Sequence, residues 1–245
     1  MSENAEIEES AYAWLRGHLA GFIRFDSERV AIRIAPLPDG RFVAPVMVAM
    51  LLAGEVVLEL PDDGEDDLHL MVSLTQFHDR GDDGRAADRW RAYHGDPPDV
   101  NWAFIEIDAA KFRGYFIDGE VFRRTNPISA DEPAICRALN AGDRDLLRRA
   151  IDAVFRIDAA DPLVVGADGI GIDARRQFDV VRLVLPAPFS DAACAAKGLQ
   201  SLVDSDEGDR PRRRYSTLAW ISHDRCELLW RKTQALGCHT RRSRS

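Results

Sequence analysis

A chain of 245 residues, 46% hydrophobic and 30% charged, is long enough to bury one large core or two modest ones and has the composition of a globular protein. No apolar run reaches the roughly 18 residues that span a bilayer. The acidic opening MSENAEIEES lacks the basic-then-apolar order of a signal peptide, and Cys136, Cys194, Cys226 and Cys238 stand apart with no CxxC pair, so a reduced cytoplasmic protein without a disulfide framework is expected. The net charge of −9 divides unevenly: residues 201–245 carry ten Lys/Arg against six Asp/Glu, a local +4, which leaves −13 on the first 200. An acidic body does not collect phosphates, so no specific nucleic-acid partner is expected, and the basic tail reads as a solvated extension.

Taken in chain order, residues 8–24 place Tyr12, Leu15, Leu19 and Phe22 near helical spacing and predict a first amphipathic helix, with His18 as a packing residue beside its stripe. Four strand-like runs follow: RVAIRIAPL, then RFVAPVMVAMLL after the turn signal Pro38-Asp39-Gly40, then EVVLELP, then LHLMVSLTQF after an acidic turn at 62–67. Dense antiparallel strands with short turns argue for a small barrel. A polar break opens a helix at 86–94 holding Trp90 and Tyr93, and Pro97 and Pro98 stop it. Residues 100–122 read as two strands and a connection that complete the barrel, and RRTNPISADEP is a linker. Beyond it, Leu139, Leu146, Leu147, Ala150 and Val154 suit one or two helices. Three strands, PLVVGAD, GIDARRQ and DVVRLVLP, precede a helix from about Asp191 through Leu202. TLAWISHDRCELLWRKTQAL in the tail is apolar enough for one more helix.

Chemistry is first suggested by PLVVGADGIGID, where Gly166, Gly169 and Gly171 follow an apolar run. The dinucleotide fingerprint needs G-x-G-x-x-G with a helix behind it; here the order differs and a strand follows, so the helix N-terminus that holds a phosphate is missing. Asp-Gly is a hairpin signal, and a hairpin is the expectation. Asp168 and Asp173 lack the regular oxygen ligands of an EF-hand loop. In the tail, His223-x-x-Cys226 and the adjacent Cys238-His239 make a poor tetrahedral set, so no metal site is expected. No G-x-S-x-G elbow supports a nucleophilic triad. No catalytic residue is therefore identified. His94 sits at a helix end, where it can meet terminal carbonyls, and Trp90 and Trp102 read as core and interface anchors rather than the walls of a flat cofactor site.

The order LNAGDRDLL, VVGADGIGIDAR, VVRLVLPAP, DAACAAKGL resembles the C-terminal α/β domain of haem-utilisation proteins of the HugZ type. Asn140, Asp143, Asp145, Asp168, Gly171, Arg182 and Pro186 fit that pattern; the histidine common in its first helix is absent, with Arg144 nearby. The helix, the meandering strands, DRWRAYHGDP and the closing AFIEIDAAKFRGYFIDGEVF are similar to the split barrel of pyridoxamine-phosphate oxidases. The resemblance implies an α+β chain: an antiparallel split β-barrel (8–124), a small α/β domain with a three-stranded antiparallel sheet (131–203) and a basic extension (204–245). It also implies a homodimer and FMN or haem as cofactor. In one register SLTQFHDRGDD is the family's phosphate motif, and Ser73, His78 and Arg80 stand at its spacing, with Ser73 and Arg80 on the phosphate. In the other, EVVLELP and LHLMVSLTQF are later strands and the motif is missing; only nine residues separate Arg80 from Trp90, where the family places two more strands. For haem, the resemblance implies a tail histidine, His223 or His239. Two readings follow: a flavin- or haem-associated protein, as an oxidoreductase whose cofactor carries the redox chemistry or as a haem-utilisation protein, or a non-catalytic binding or regulatory module that keeps the fold without the cofactor site.

Overall fold

The structure, a computed structural model, describes residues 3–60, 67–97, 101–177 and 179–205. The acidic turn at 62–66, Pro98, and the tail from 206 with His223, Cys226, Cys238, His239 and its expected helix lie outside the described residues.

The first helix, α1, runs Glu3–Gly17 and buries Ala11, Leu15 and Arg16. It ends earlier than the apolar spacing suggests. Residues Ala20–Phe25 are a strand, β1, not a continuation of the helix. Its Ile23 and Phe25 face the core while Arg24 faces out, and a turn with Asp26 at φ 48° returns the chain as β2, Glu28–Arg33. Alternation thus prevails over helical spacing once the strand has a partner to bond with.

Strands β3 (Ala35–Pro36) and β4 (Phe42–Val46) form a hairpin around the predicted Pro-Asp-Gly turn. The apolar run after it is not all strand: Val48–Leu52 is a short helix, α2, ahead of β5 (Val56–Leu60). β6 (Leu68–Phe77) leads into α3 (Gly84–His94), and β7 (Asn101–Phe112) and β8 (Tyr115–Asp118) form the closing hairpin, followed by a 3-10 turn at Gly119–Phe122. All pairings are antiparallel. The sheet has the order β2-β1-β5-β6-β7-β4-β3, with β8 on the far end of β7, and it curls as a half-barrel around a core that includes Leu58, Leu70, Ile105 and Phe112.

The second unit has its own core, with Ile151, Ile172, Leu183 and Leu199 at its centre. Helices α4 (Glu132–Ala141) and α5 (Arg144–Phe155) are separate because Asp143 caps α5, accepting from the backbone N–H of Asp145 and Leu146. The amide of Asn140 brackets Val164 on β9 (Leu163–Ala167), donating to its carbonyl and accepting from its N–H, both at 2.8 Å. β10 (Gly171–Arg175) lies between β9 and β11 (Val180–Val184), and α6 (Ala192–Asp204) packs on α4 and α5. The chain is α+β as expected: an antiparallel half-barrel beside a three-stranded antiparallel sheet with helices. Among the described residues no helix is long and apolar enough to cross a membrane.

The glycine stretch is the β9–β10 hairpin. Gly169 takes φ 80°, and Asp168 Oδ1 accepts from the N–H groups of Ile170 and Gly171 in an Asx-type turn. A strand follows, not a helix.

Candidate functional site at the domain junction

The cross-strand register between β10 and β11 sets Asp173 opposite Arg182. Asp173 is completely buried, and burying a carboxylate requires partners. It has three: Arg182 Nη1 at 2.9 Å, Arg16 Nη2 from α1 at 3.0 Å, and the hydroxyl of Tyr93 from α3, which donates at 2.8 Å. In the adjoining turn Asp168 accepts from Arg182 Nη2 at 2.7 and 2.6 Å and from Arg16 at 3.2 Å. A second bundle lies alongside. Arg89 of α3 grips Glu132 of α4 with both terminal nitrogens, at 2.7 and 3.1 Å, and its Nε donates to the Pro36 carbonyl. Glu132 also accepts from Ala167 N–H, and Asn126 ties the linker to the Ala167 carbonyl at 2.8 Å.

Three arginines thus meet three carboxylates across the boundary between the two cores. Burial alone would push the Asp173 carboxyl up; the Arg16 and Arg182 guanidiniums and the Tyr93 hydrogen bond outweigh it and hold the group far below the usual carboxylate range. Asp168 is lowered against burial by Arg182 and Arg16. Burial, then the Asp173 charge, keeps the Tyr93 phenol protonated well above its ordinary value. None of Asp168, Asp173 and Tyr93 is poised to take or give a proton near neutrality. What it does is fix the α/β domain to the barrel.

The residues singled out on the barrel face lie elsewhere. Ser73 is on the exposed face of β6, cross-strand from Glu106, and its hydroxyl donates to Asp108 Oδ2 at 2.8 Å. His78 and Arg80 are exposed in the segment that joins β6 to α3, and no strand lies between Phe77 and Gly84. His94 does meet a carbonyl, but not one at its own helix end: the ring accepts burial to bond Ile34 O through Nε2 at 2.9 Å. Burial dominates its titration and pushes its pKa down to about 3, so it is neutral. Trp90 and Trp102 are both buried and meet edge to face at 5.6 Å, as core anchors. His18 stacks on Trp14 as a packing residue. Among the described residues no group of three or more metal-ligating side chains converges.

Arg16, Arg89 and Glu132 are not singled out by the sequence, because each stands beside apolar positions without a motif. The one available signal is Asp173, a carboxylate between Ile172 and Ala174 in a strand buried on both faces.

No family model matches this chain, and no curated protein matches it. Among solved structures, the chain is similar to a protein of unknown function from Agrobacterium tumefaciens, Atu2129, with a TM-score of 0.63 and 17% identity over 80% of this chain and 94% of that one. That similarity shows a shared fold. A heme-binding protein from Mycobacterium smegmatis matches over 82% of this chain and 97% of its own at 16% identity, with a TM-score of 0.39.

Proposed function

We propose that this chain is a split-barrel binding or regulatory protein that does not carry FMN. The observation that carries the reading is the surroundings of Ser73. A flavin phosphate needs hydroxyl and N–H donors beside a fixed cation. Here the Ser73 hydroxyl is spent on Asp108, and Glu106 and Asp108 would set two carboxylates against a phosphate dianion. The direct run of β6 into α3 favours the register in which the phosphate motif is missing.

Haem, the other ligand implied by the resemblance, takes an imidazole with a free nitrogen on its iron. His94 is enclosed and bonded to Ile34 through Nε2, and the tail histidines that the resemblance implies, His223 and His239, lie outside the described residues. A second copy of the chain belongs to the proposal. Val48, Leu52 and Met71, on the neighbouring α2 and β6, are 55%, 79% and 51% exposed, an apolar patch suited to a like surface.

The test is spectroscopic. Purified protein titrated with FMN and with haemin is expected to leave flavin fluorescence unquenched and to give no protein-bound Soret band. Equimolar flavin uptake that is lost in Arg80→Ala overturns the reading and makes the barrel face a flavin site. A Soret band from bound haemin makes haem the ligand and the protein its carrier or processor.

A further inference from the structure

We propose that the cleft between the barrel and the α/β domain binds a small organic oxyanion, a carboxylate or phosphate carried on an apolar group about the size of one ring. The inference gives the binding-protein reading a ligand class and rests on it.

The cleft encloses about 150 Å³ above the junction cluster. A cavity of about that volume accommodates benzene. Four arginines line it, Arg16, Arg41, Arg89 and Arg124, against one carboxylate, Asp168. That carboxylate is already neutralised, since Arg182 grips it with two contacts and Arg16 with a third. Arg16 closes the floor of the cleft: its Nη1 is buried without a hydrogen-bond partner among the described residues and lies out of a ligand's reach, so the donors that a ligand meets are those of the rim.

The two rim arginines are held in place from behind. Arg41 is pinned by Asp39 through Nε at 2.8 Å and lies 4.0 Å over the Phe104 ring. Arg124 is pinned by the Val121 carbonyl and by Glu9, both at 2.9 Å, and lies 4.0 Å over the Tyr12 ring. Each is anchored by part of its fork, which orients the planar group and lowers the entropy lost when its remaining N–H bonds meet a ligand. The rim backbone is equally fixed: Asn126 N–H donates to the Pro38 carbonyl at 2.8 Å, closing the β3–β4 turn onto the linker. The remaining wall is mostly apolar, with Thr125 and Asn126 as its polar members. Phe122 and Pro127 contribute to it, and Ile170 at the tip of the β9–β10 hairpin is half exposed, an uncovered apolar side chain in a mostly cationic site. Fixed cations beside apolar surface in a concave site are the recognition pattern for an organic anion rather than for a bare ion.

The test titrates the full-length protein with benzoate, phenyl phosphate, inorganic phosphate and benzyl alcohol, followed by calorimetry and by amide chemical shifts. One of the two aryl anions is expected to bind at least tenfold more tightly than both the neutral alcohol and inorganic phosphate, and which one wins separates carboxylate from phosphate. Arg41→Gln and Arg124→Gln are each expected to weaken it at least tenfold, with the amide spectrum confirming that the fold persists. Arg123→Gln, one residue away but outside the cleft, is expected to change nothing. Aryl anions that bind no better than benzyl alcohol, or that bind both rim variants as they bind the native protein, overturn the proposal. Flavin uptake in the same samples is scored separately: it removes the reading without FMN and leaves the cleft result standing, whereas absent anion binding with no flavin uptake removes the cleft proposal alone.

Discussion

Asp173 shows how a single side chain commits a large part of the interior. Truncating it leaves Asp168 alone to face both Arg16 and Arg182, and removing one partner of a buried ion pair costs about 3–5 kcal/mol. Asp173→Ala is therefore expected to lower unfolding stability in urea by about that amount, against about 1.5–3 kcal/mol for Tyr93→Phe, which deletes the hydroxyl that donates to Asp173 and accepts from Arg89 at 3.3 Å. Gly166 belongs to the same arrangement: a Cβ there would lie 1.8 Å from the Tyr93 hydroxyl oxygen. Gly166→Ala is expected to destabilise by displacing that hydroxyl, and the double variant with Tyr93→Phe to cost less than the sum of the two, which a double-mutant cycle reads directly. The pH dependence has two parts. His94 binds its proton in the folded chain only near pH 3 but near 6.5 when unfolded, so the unfolded state holds more protons between those values. Stability is then complete above about pH 6.5 and declines as pH falls, at up to about 1.4 kcal/mol per pH unit. Asp168 and Asp173, depressed in the folded chain, add their own loss only as pH falls below about 3.9, the unfolded carboxylate value. His94→Gln is expected to flatten the limb between pH 6.5 and 4 and to leave the lower one; a native-like slope in that variant assigns the limb to other groups.

At the scale of elements, local chemistry decides where the chain turns, and it does so unevenly. Gly40 closes the β3–β4 turn with φ 90°, and a Cβ there would lie 2.8 Å from the Arg124 nitrogen. Gly40→Ala combines a disfavoured conformation with a backbone clash and is expected to cost more than the roughly 1 kcal/mol of left-handed strain alone, read as a lowered urea midpoint. That turn was legible in Pro38-Asp39-Gly40, as the β9–β10 hairpin was in Asp168-Gly169, because turn residues act through their own backbone preferences. The helices α3, α4 and α5 and the strands β5 to β7 were legible for a similar reason: their apolar period matches the surface they bury. Residues 18–24 were misread because Leu19 and Phe22 keep helical spacing with Tyr12 and Leu15, while the pairing with β2 and β5 that makes them a strand is tertiary. Residues 48–52 read as strand because a five-residue helix offers too little period to recognise. The junction cluster was legible only in part: Asp168 and Arg182 fit the resemblance, but nothing linked them to Arg16, which is 157 positions from Asp173 and comes within 3.0 Å of it only in the folded chain.

For the whole molecule, the question is whether two hydrophobic cores make two independent domains or one cooperative unit. The cores are distinct in residues, Ala11 to Phe122 in one and Ile128 to Leu199 in the other. Contacts of α1 with β11, and the Arg16, Tyr93, Arg89, Asp173 and Glu132 interactions, cross between them. Opening that boundary exposes buried charges to one another's loss as well as to water, so separation is expected to coincide with global unfolding. Native-state hydrogen exchange tests this: amides of Leu70 on β6 and Ile172 on β10 should share one opening free energy, and Arg182→Gln should lower that of Ile172 while Leu70 holds closer to its native value. Unequal opening energies in the native protein would mean that the boundary ions do not couple the cores. Association is a separate matter, because the α2–β6 patch belongs to the barrel alone. Covering Val48, Leu52 and Met71 with a second copy would bury apolar surface that a monomer leaves in water. Leu52→Glu places a charge at the most exposed of the three and is expected to convert a dimer to a monomer in sedimentation equilibrium, with the exchange pattern of Leu70 and Ile172 unchanged. A native chain that sediments as a monomer at micromolar concentration removes the dimer. A dimer that survives Leu52→Glu places its interface on another face of the molecule.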